Sequence, residues 1–499
     1  MVDYDVIVIG AGCGGLSSGA LLAKQGRSVL VLEQSPRIGG CCSTFETGGY
    51  HFDTGASIVE IIQPIEKVFE KLGTTLQAEV DLISCDPMMS IIRRDGSKVT
   101  YPISVEETGR LISEMSAEDG RRWPEFAAFS QELMDVSLET IFAEPANSFG
   151  DMARMVQKNP KLAKFLPYFM ISYEDLIRKF FKDPRVLETM TYQSLYFGHP
   201  PSITPGAYGM VPYTEHTGIY YPRGGMIKIP EAMQRCGERF GMQVRTGTKV
   251  EKVLMSGRRA AGVRLADGTE ITSRLVVSDI NARSLYLDLI GESHLPDSAV
   301  RAIKSYDYSI SVPMIYLGMN ERPPLEAHHS IIAISPEELN SFWWNNVQTG
   351  VLPEKTFGLL CWPTCSDPSL APEGKHVLNI IPDGFYHWKD HDWDKEKEWY
   401  IDRTLDQLEK FALPGIRDHI EVLECSTPRD YERRLMLPEG AIYAFEQDLT
   451  AQAMFRPSSR SKAVEGLYLT GSSTHPGGGV PSTIASGLIA SNLIAHHEL

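Results

Sequence analysis

Three glycines and one acid carry the clearest chemistry in the chain. Gly10, Gly12 and Gly15 form a G-x-G-x-x-G pattern, with Gly14 a further small residue inside it, and Glu33 follows about twenty residues on. Such glycines let the backbone turn tightly, approach a pyrophosphate and pack a helix close to a strand. The N–H groups of the helix that follows bring partial positive charge to the phosphates. A carboxylate ending the next strand accepts hydrogen bonds from ribose hydroxyls. The chemistry implied is the binding of an adenine dinucleotide.

The elements that must hold these residues are legible on both sides. Val6 to Ile9 read as a buried strand. Leu16, Ala20, Leu21 and Ala23 recur at helical spacing, and Gly26 ends that helix. Val29 to Leu32 make a second strand, with Glu33 and Gln34 at its carboxyl end. Strand, glycine turn, helix, strand and acid stand in the order of a dinucleotide-binding βαβ unit.

Other reactive groups are scattered. Glu215, His216 and Arg223 fall in a proline-rich strip, 192–226, and are the weak acid–base candidates toward a substrate; a lone His or Glu there is more often a structural hydrogen-bonder. Eight cysteines are too sparse for a disulfide framework. Cys41 and Cys42 read as small packing residues rather than a redox pair. Cys361 and Cys365 lack a partner pair at zinc spacing, and the charged run 387–399 reads as a solvated helix face, so no metal site is expected.

Composition narrows the class. The 499 residues suffice for two or three domains, with ordinary globular proportions of 42% hydrophobic and 22% charged residues. A net charge of −16 argues against a nucleic-acid partner. No secretory signal pattern precedes the first strand and no apolar run is long enough to span a bilayer, so a cytoplasmic protein is expected. The stretch 161–181, KLAKFLPYFMISYEDLIRKFF, is apolar and aromatic with basic flanks. It reads either as a membrane-surface helix on the inner face of a membrane or as a helical cover over a cavity.

Four further stretches resemble one family. Arg37-Ile38-Gly39-Gly40 is similar to the R-x-G-G extension of the FAD-dependent flavoprotein amine oxidase and phytoene desaturase superfamily, although Cys41 stands where a second Arg is usual. Phe52-Asp53-Thr54-Gly55 resembles its F-D-x-G segment. Tyr220 to Met226, YYPRGGM, resembles the paired-glycine turn of phytoene desaturases and their relatives. The tail from Gly471 through Thr474-His475-Pro476-Gly477-Gly478-Gly479-Val480-Pro481 resembles the terminal flavin segment of bacterial carotenoid desaturases, with Ser472 where many flavoproteins carry Asp. The GGCC run looks more like retinol saturases.

The resemblance implies an α/β protein: a Rossmann-like FAD-binding domain, discontinuous in sequence, with an α+β substrate domain inserted. The FAD domain is expected from 1–84, 220–290 and 455–499. The substrate domain is expected from 85–219 and 291–454, with a mainly helical lid at 104–195. FAD contacts are expected from Gly10, Gly12, Gly14, Gly15, Glu33, Gln34, Arg37, Gly39, Gly40, Val250, Gly471, Ser472 and Val480. The implied activity is oxidation of carbon–carbon bonds in a long apolar isoprenoid or polyene, as in phytoene desaturases. Saturation or isomerisation on the same flavin is the alternative. From another class, Rab GDP-dissociation inhibitors resemble this fold and bind prenyl groups without redox chemistry. With no second nucleotide fingerprint, oxygen or a quinone is the expected electron acceptor.

Overall fold

Tyr4–Ile9 is a strand whose residues Val6 to Ile9 are buried, which is why it lacks polar alternation. It pairs in parallel with Val29–Leu32 on one side and with Glu270–Ser278 on the other. The computed structural model, which describes residues 2–450 and 455–498, extends this sheet to seven strands. Gln243–Arg245 adds in parallel beyond Val29–Leu32, and Leu467–Leu469 adds in parallel to Glu270–Ser278. Val250–Ser256 and Arg259–Leu265 form an antiparallel pair against the opposite end of Glu270–Ser278. The sheet therefore collects strands from three separated stretches of chain.

Cys13–Lys24 follows the glycine turn and is buried along almost its whole length. The terminal helix Val480–His497 lies directly on it. Gly487 permits that approach: a β-carbon there would meet the Gly14 carbonyl oxygen at 2.6 Å. The Ser17 hydroxyl donates to the Ile484 carbonyl at 2.9 Å across the same contact.

A second seven-stranded sheet runs in the order Ile420–Ser426, Met314–Met319, His376–Pro382, Gly358–Cys361, His329–Ile332, Met89–Ile92, Lys98–Tyr101. Its pairs are antiparallel except that of His329–Ile332 with Met89–Ile92. The charged run 387–399, read as a solvated helix face, leads into the helix Trp393–Glu409. Helices Val105–Met115, Ala117–Glu139, Phe149–Lys158, Tyr173–Phe180 and Pro184–Thr191 fill the stretch read as a lid.

The stretch 161–181 is not one surface helix. It divides into Leu162–Phe165, a 3-10 turn Leu166–Phe169, and Tyr173–Phe180. Pro167 has no N–H for a continuing helix. Ser172 starts a new one by accepting the Asp175 N–H at 3.0 Å. Tyr173, Leu176 and Ile177 then turn inward, into a cluster with Trp123 and Phe126.

Asp53 ties two of the family-like segments together. It ends the hairpin Thr44–Thr47 and Tyr50–Asp53. Its buried carboxylate accepts the Thr44 hydroxyl at 2.7 Å, the Tyr221 hydroxyl at 2.5 Å and the Met226 N–H at 2.8 Å. Gly225, at φ +100°, has no room for a side chain here, since a β-carbon would lie 2.6 Å from Thr44 Oγ1. Replacing Asp53 with Ala leaves two hydroxyls and an amide buried without their acceptor, at roughly 1–3 kcal/mol each. D53A is expected to lose about 3 kcal/mol or more in urea unfolding. An unchanged midpoint would show that this clasp does not stabilise the fold.

Candidate functional site

A cavity of about 540 Å³ starts at the carboxyl ends of the parallel strands, beside Ile9 and Leu32, and continues to the face of the second sheet at Leu359 and Ile381. Ligands in open α/β sheets bind at such strand ends. One end of the cavity is lined by glycine loops and the other by apolar and aromatic side chains.

At the first end, Gly10 turns the chain out of its strand at φ +96°. Gly12 begins the helix Cys13–Lys24 with no side chain capping its amides. Gly15 serves packing, because a β-carbon there would lie 2.2 Å from the Gly10 carbonyl oxygen. Glu33 accepts the Ala11 N–H at 2.9 Å and the Ser35 N–H at 2.8 Å, while burial pushes its carboxyl above the usual range. The Gly39 N–H donates to the Ala11 carbonyl at 2.8 Å, so the second glycine pair is pinned onto the first turn. The Thr248 N–H donates to the Glu33 carbonyl at 2.7 Å, which brings Val250 to the same wall.

The other end of the chain closes this cradle. Gly471 donates its N–H to Ser486 Oγ at 2.7 Å, and Ser472 lines the cavity. Gln447 accepts the Gly478 N–H at 3.0 Å and so shapes the glycine loop. Gly479 then caps the terminal helix with no side chain, and Val480 opens that helix at the cavity wall. Two helix N-termini, from opposite ends of the sequence, thus point partial positive charge into one space.

Of the residues expected at the cofactor, Gly10, Gly12, Glu33, Gln34, Gly39, Gly40, Val250, Gly471, Ser472 and Val480 line the cavity. Gly14 and Gly15 lie behind it as packing contacts. Arg37 is placed elsewhere: its exposed side chain donates to the Thr44 carbonyl at 3.3 Å. Cys41 and Cys42 line the cavity, and all eight cysteines are free. Burial pushes the Cys41 thiol up to about 11. The contact with Cys13, then burial, holds Cys42 well above its ordinary value, so both are neutral packing groups.

Two of the three acid–base candidates lie away from the cavity in structural contacts. His216 sits under the lid, its Nδ1 2.7 Å from the Ile103 carbonyl oxygen and its ring edge-on to Trp123. Arg223 is half exposed and pairs with Asp81 at 2.7 Å. Neither lines the cavity. Glu215 is buried one layer behind the wall, accepting the Tyr192 hydroxyl at 2.5 Å and the Gln193 amide at 3.2 Å.

Three groups escaped the sequence reading. Asp279 follows a buried strand directly and lies against the glycine turns: β-carbons at Gly12 and Gly471 would meet its oxygens at 2.4 and 2.3 Å. Burial pushes its carboxyl up to about 7 against the pull of the Gly15 amide and the Thr470 hydroxyl. Glu60, an acid four residues after Ala56, is a wall residue beside Ile61 and Tyr196. His328, His329 and Cys361 come together with donor atoms within 4.8 Å of one another. His329 meets Ser57 Oγ at 2.9 Å, and His328 meets Ser366 Oγ at 2.8 Å. Burial draws His328 down to about 4. A metal ion would have to displace these bonds; as it stands the cluster braces the Ser57 segment.

A glycine turn free of side chains, uncapped helix amides and an acid ending the next strand fit an adenine dinucleotide, and fold and site together define a dinucleotide-binding protein. The family of flavin-containing amine oxidoreductases matches residues 13–495. A zeta-carotene-forming phytoene desaturase of Myxococcus xanthus is 30% identical over 489 residues, covering 96% of this chain and 92% of its own. A lycopene-forming phytoene desaturase of Paracoccus sp. is 27% identical over 485 residues, covering 96% and 95%. The solved structure of an oxidoreductase from Methanosarcina mazei shares the fold, with a TM-score of 0.63 at 17% identity over 98% of this chain and 99% of that one. The chain belongs to the flavin-containing amine oxidoreductase family; it is an FAD-dependent oxidoreductase.

Asp279 gives the cofactor site a pH dependence. A pyrophosphate at the helix N-terminus favours the neutral carboxyl, so binding takes up a proton once the pH exceeds about 7. FAD affinity is expected to fall by up to about tenfold per pH unit above that point and to be flat below it. Asp279→Asn is expected to abolish the slope in fluorescence titrations of the apoprotein. A slope retained in the variant would assign the proton to another group.

Proposed function

We propose that the protein removes hydrogen from carbon–carbon single bonds of a long apolar isoprenoid or polyene, as a phytoene desaturase-like dehydrogenase. The continuity of the cavity carries this reading. Its glycine-lined end runs into a wall that includes Leu195, Phe197, Val211, Ile310, Phe342, Trp343 and Phe357. A polyene has few polar handles, so its placement must come from shape and buried apolar area, at about 25 cal/mol per Å². The activities of the desaturase relatives point the same way.

In this reading FAD, when bound, supplies a two-electron acceptor for hydride. Gly10, Gly12, Glu33, Gly39, Gly40, Val250, Gly471, Ser472 and Val480 hold it, drawn from the segments 1–84, 220–290 and 455–499. The neutral thiols of Cys41 and Cys42 leave the adjoining wall uncharged. The apolar wall orients the chain of carbons and excludes water. Oxygen or a quinone would be the electron acceptor.

Membrane contact belongs to the same proposal. No helix among the described residues is long and apolar enough to cross a bilayer. Leu166 and Met170 are nonetheless exposed, with Phe149 on a helix of the same lid, and Lys161, Lys164 and Lys179 are exposed nearby in sequence. Apolar side chains among basic ones suit an anionic lipid surface, from which a polyene would enter. The cytoplasmic face of a membrane is the proposed location.

Anaerobic mixing of the FAD-loaded protein with phytoene is expected to bleach the yellow flavin absorbance without added nicotinamide and to yield a product lighter by one hydrogen pair. Hydrogen uptake by a polyene, seen only after chemical reduction of the flavin, would establish a saturase instead. A colourless protein that copurifies with prenyl lipids and refuses flavin would establish a carrier. Met170→Glu is expected to reduce sedimentation with anionic vesicles by several-fold while leaving the unfolding midpoint unchanged; equal sedimentation would remove the lid from the membrane contact.

A further inference from the structure

We propose that Glu60 is the catalytic base that receives the substrate's proton, with Glu215 and Tyr196 behind it as the positioning groups that share that proton. The inference rests on the dehydrogenase reading above and names the group that reading lacks. Loss of hydride from one carbon leaves a proton to be removed from its neighbour, and an apolar tunnel offers few places for it.

Four carboxylates line the cavity among the described residues: Glu33, Glu60, Asp279 and Asp383. Glu33 and Asp279 belong to the nucleotide end, against the glycine turns. Asp383 faces Arg403 at 3.6 Å and accepts the Phe357 N–H at 3.2 Å, on the face of the second sheet. Glu60 differs from all three in place and in partners. It lies at the junction of the two halves, between Ala56 and Ser57 of the glycine-lined end and Tyr196 and Val211 of the apolar end.

The backbone fixes this position. Val59 exchanges hydrogen bonds with Tyr220 at 2.8 and 2.9 Å and buries its own side chain, so the next residue points the other way. Gly55 packs on the carbonyl of Cys41, which keeps the whole segment beside the second glycine pair.

The partners suit a proton acceptor. Thr214 Oγ1 lies 3.3 Å from Glu60 Oε2. Tyr196 donates to Glu215 at 3.3 Å and lines the same wall as Glu60. Glu215 is further tied to Tyr192 and Gln193, and Tyr192 to Tyr196 at 3.2 Å. The titratable groups facing the pair are therefore Tyr173, Tyr192 and Tyr196, all held protonated by burial and by the carboxylates themselves. Burial first, and then mutual repulsion, raises Glu60; burial raises Glu215. Two such carboxyls do not both ionise readily; the donors on Glu215 favour charge there, so the pair reaches the form with Glu60 unprotonated only as the pH rises. That is the state a general base requires.

The step balances. One C–H bond of the substrate breaks with its electron pair leaving to FAD as hydride. The C–H bond on the adjacent carbon breaks with its proton passing to a Glu60 oxygen, and its electron pair becomes the new carbon–carbon double bond. Tyr196 and Glu215 then redistribute the proton before it reaches solvent.

The test follows polyene-driven reduction of the FAD-loaded protein in single turnover, across pH, together with FAD content and polyene binding. In the parent protein the rate is expected to rise with pH as the carboxyl pair loses its proton, then to level. Glu60→Gln is expected to slow the reduction about a hundredfold or more, to flatten the pH profile, and to leave FAD content and polyene binding unchanged. Glu60→Asp is expected to keep the rising profile at a lower rate. Tyr196→Phe is expected to shift the profile's midpoint rather than abolish the rise. A Glu60→Gln or Glu60→Asp protein that folds, binds both ligands and reduces flavin at the parent rate would overturn the role of Glu60. A parent protein that no polyene reduces would instead overturn the dehydrogenase reading itself.

Discussion

One close approach underlies the rest of the molecule: two helices from opposite ends of the chain touching through glycine. Cys13–Lys24 and Val480–His497 can lie together because Gly487 leaves the Gly14 carbonyl room and because Ser17 can reach Ile484. Their contact sets both N-termini at one cavity. Helix amides lose most of their electrostatic value within a turn, so the pair is useful to an anionic ligand only if both ends arrive together. The second glycine pair reinforces this geometry, since Gly39 is bonded to the carbonyl of Ala11 in the first turn. Cofactor site and fold are in this sense the same construction.

A second constraint is electrical neutrality along the cavity. Burial keeps Cys41 as a thiol and His328 as a neutral imidazole, while Cys42 is held as a thiol by the Cys13 contact and then by burial. It also drives the carboxyls of Asp279 and Glu60 toward their protonated forms. A wall of this kind tolerates an apolar substrate, because few fixed charges are stranded beside it. It also leaves each buried carboxyl close to a protonation change, which makes such groups responsive to a nearby phosphate or to a departing proton. The Asp53 clasp is the structural counterpart: a buried acid whose three donors join the hairpin to the paired-glycine turn.

Much of the nucleotide end was legible from the chain alone, for a local reason. Glycine turns, the strands beside them and the acid at Glu33 lie within one short segment, so spacing reports geometry. The terminal strand Leu467–Leu469 and the helix after Gly479 were equally readable, because a strand, a glycine loop and an apolar helix follow one another without interruption. The substrate end was not readable in this way. Residues 161–181 have the composition of a surface helix, yet Pro167 and the Ser172 cap divide them and turn half of them inward. Arg223 stood in a family-like motif, yet Asp81 holds it at the surface. Cys361 has no histidine near it in sequence, while pairing of adjacent strands brings His329 opposite it.

Residue order thus established the nucleotide fingerprint, the FAD family and the apolar character of the lid, since each depends on neighbours within a few turns of chain. Tertiary contact decided which acids face the cavity. Glu60 and Asp279 are unremarkable in their own segments, and Glu215 stood out only as one polar group of a proline-rich strip; they become chemically distinct only where helices and strands from distant stretches exclude water around them. A carboxyl's proton affinity is set by that surrounding medium, and the medium is made of residues far away along the chain.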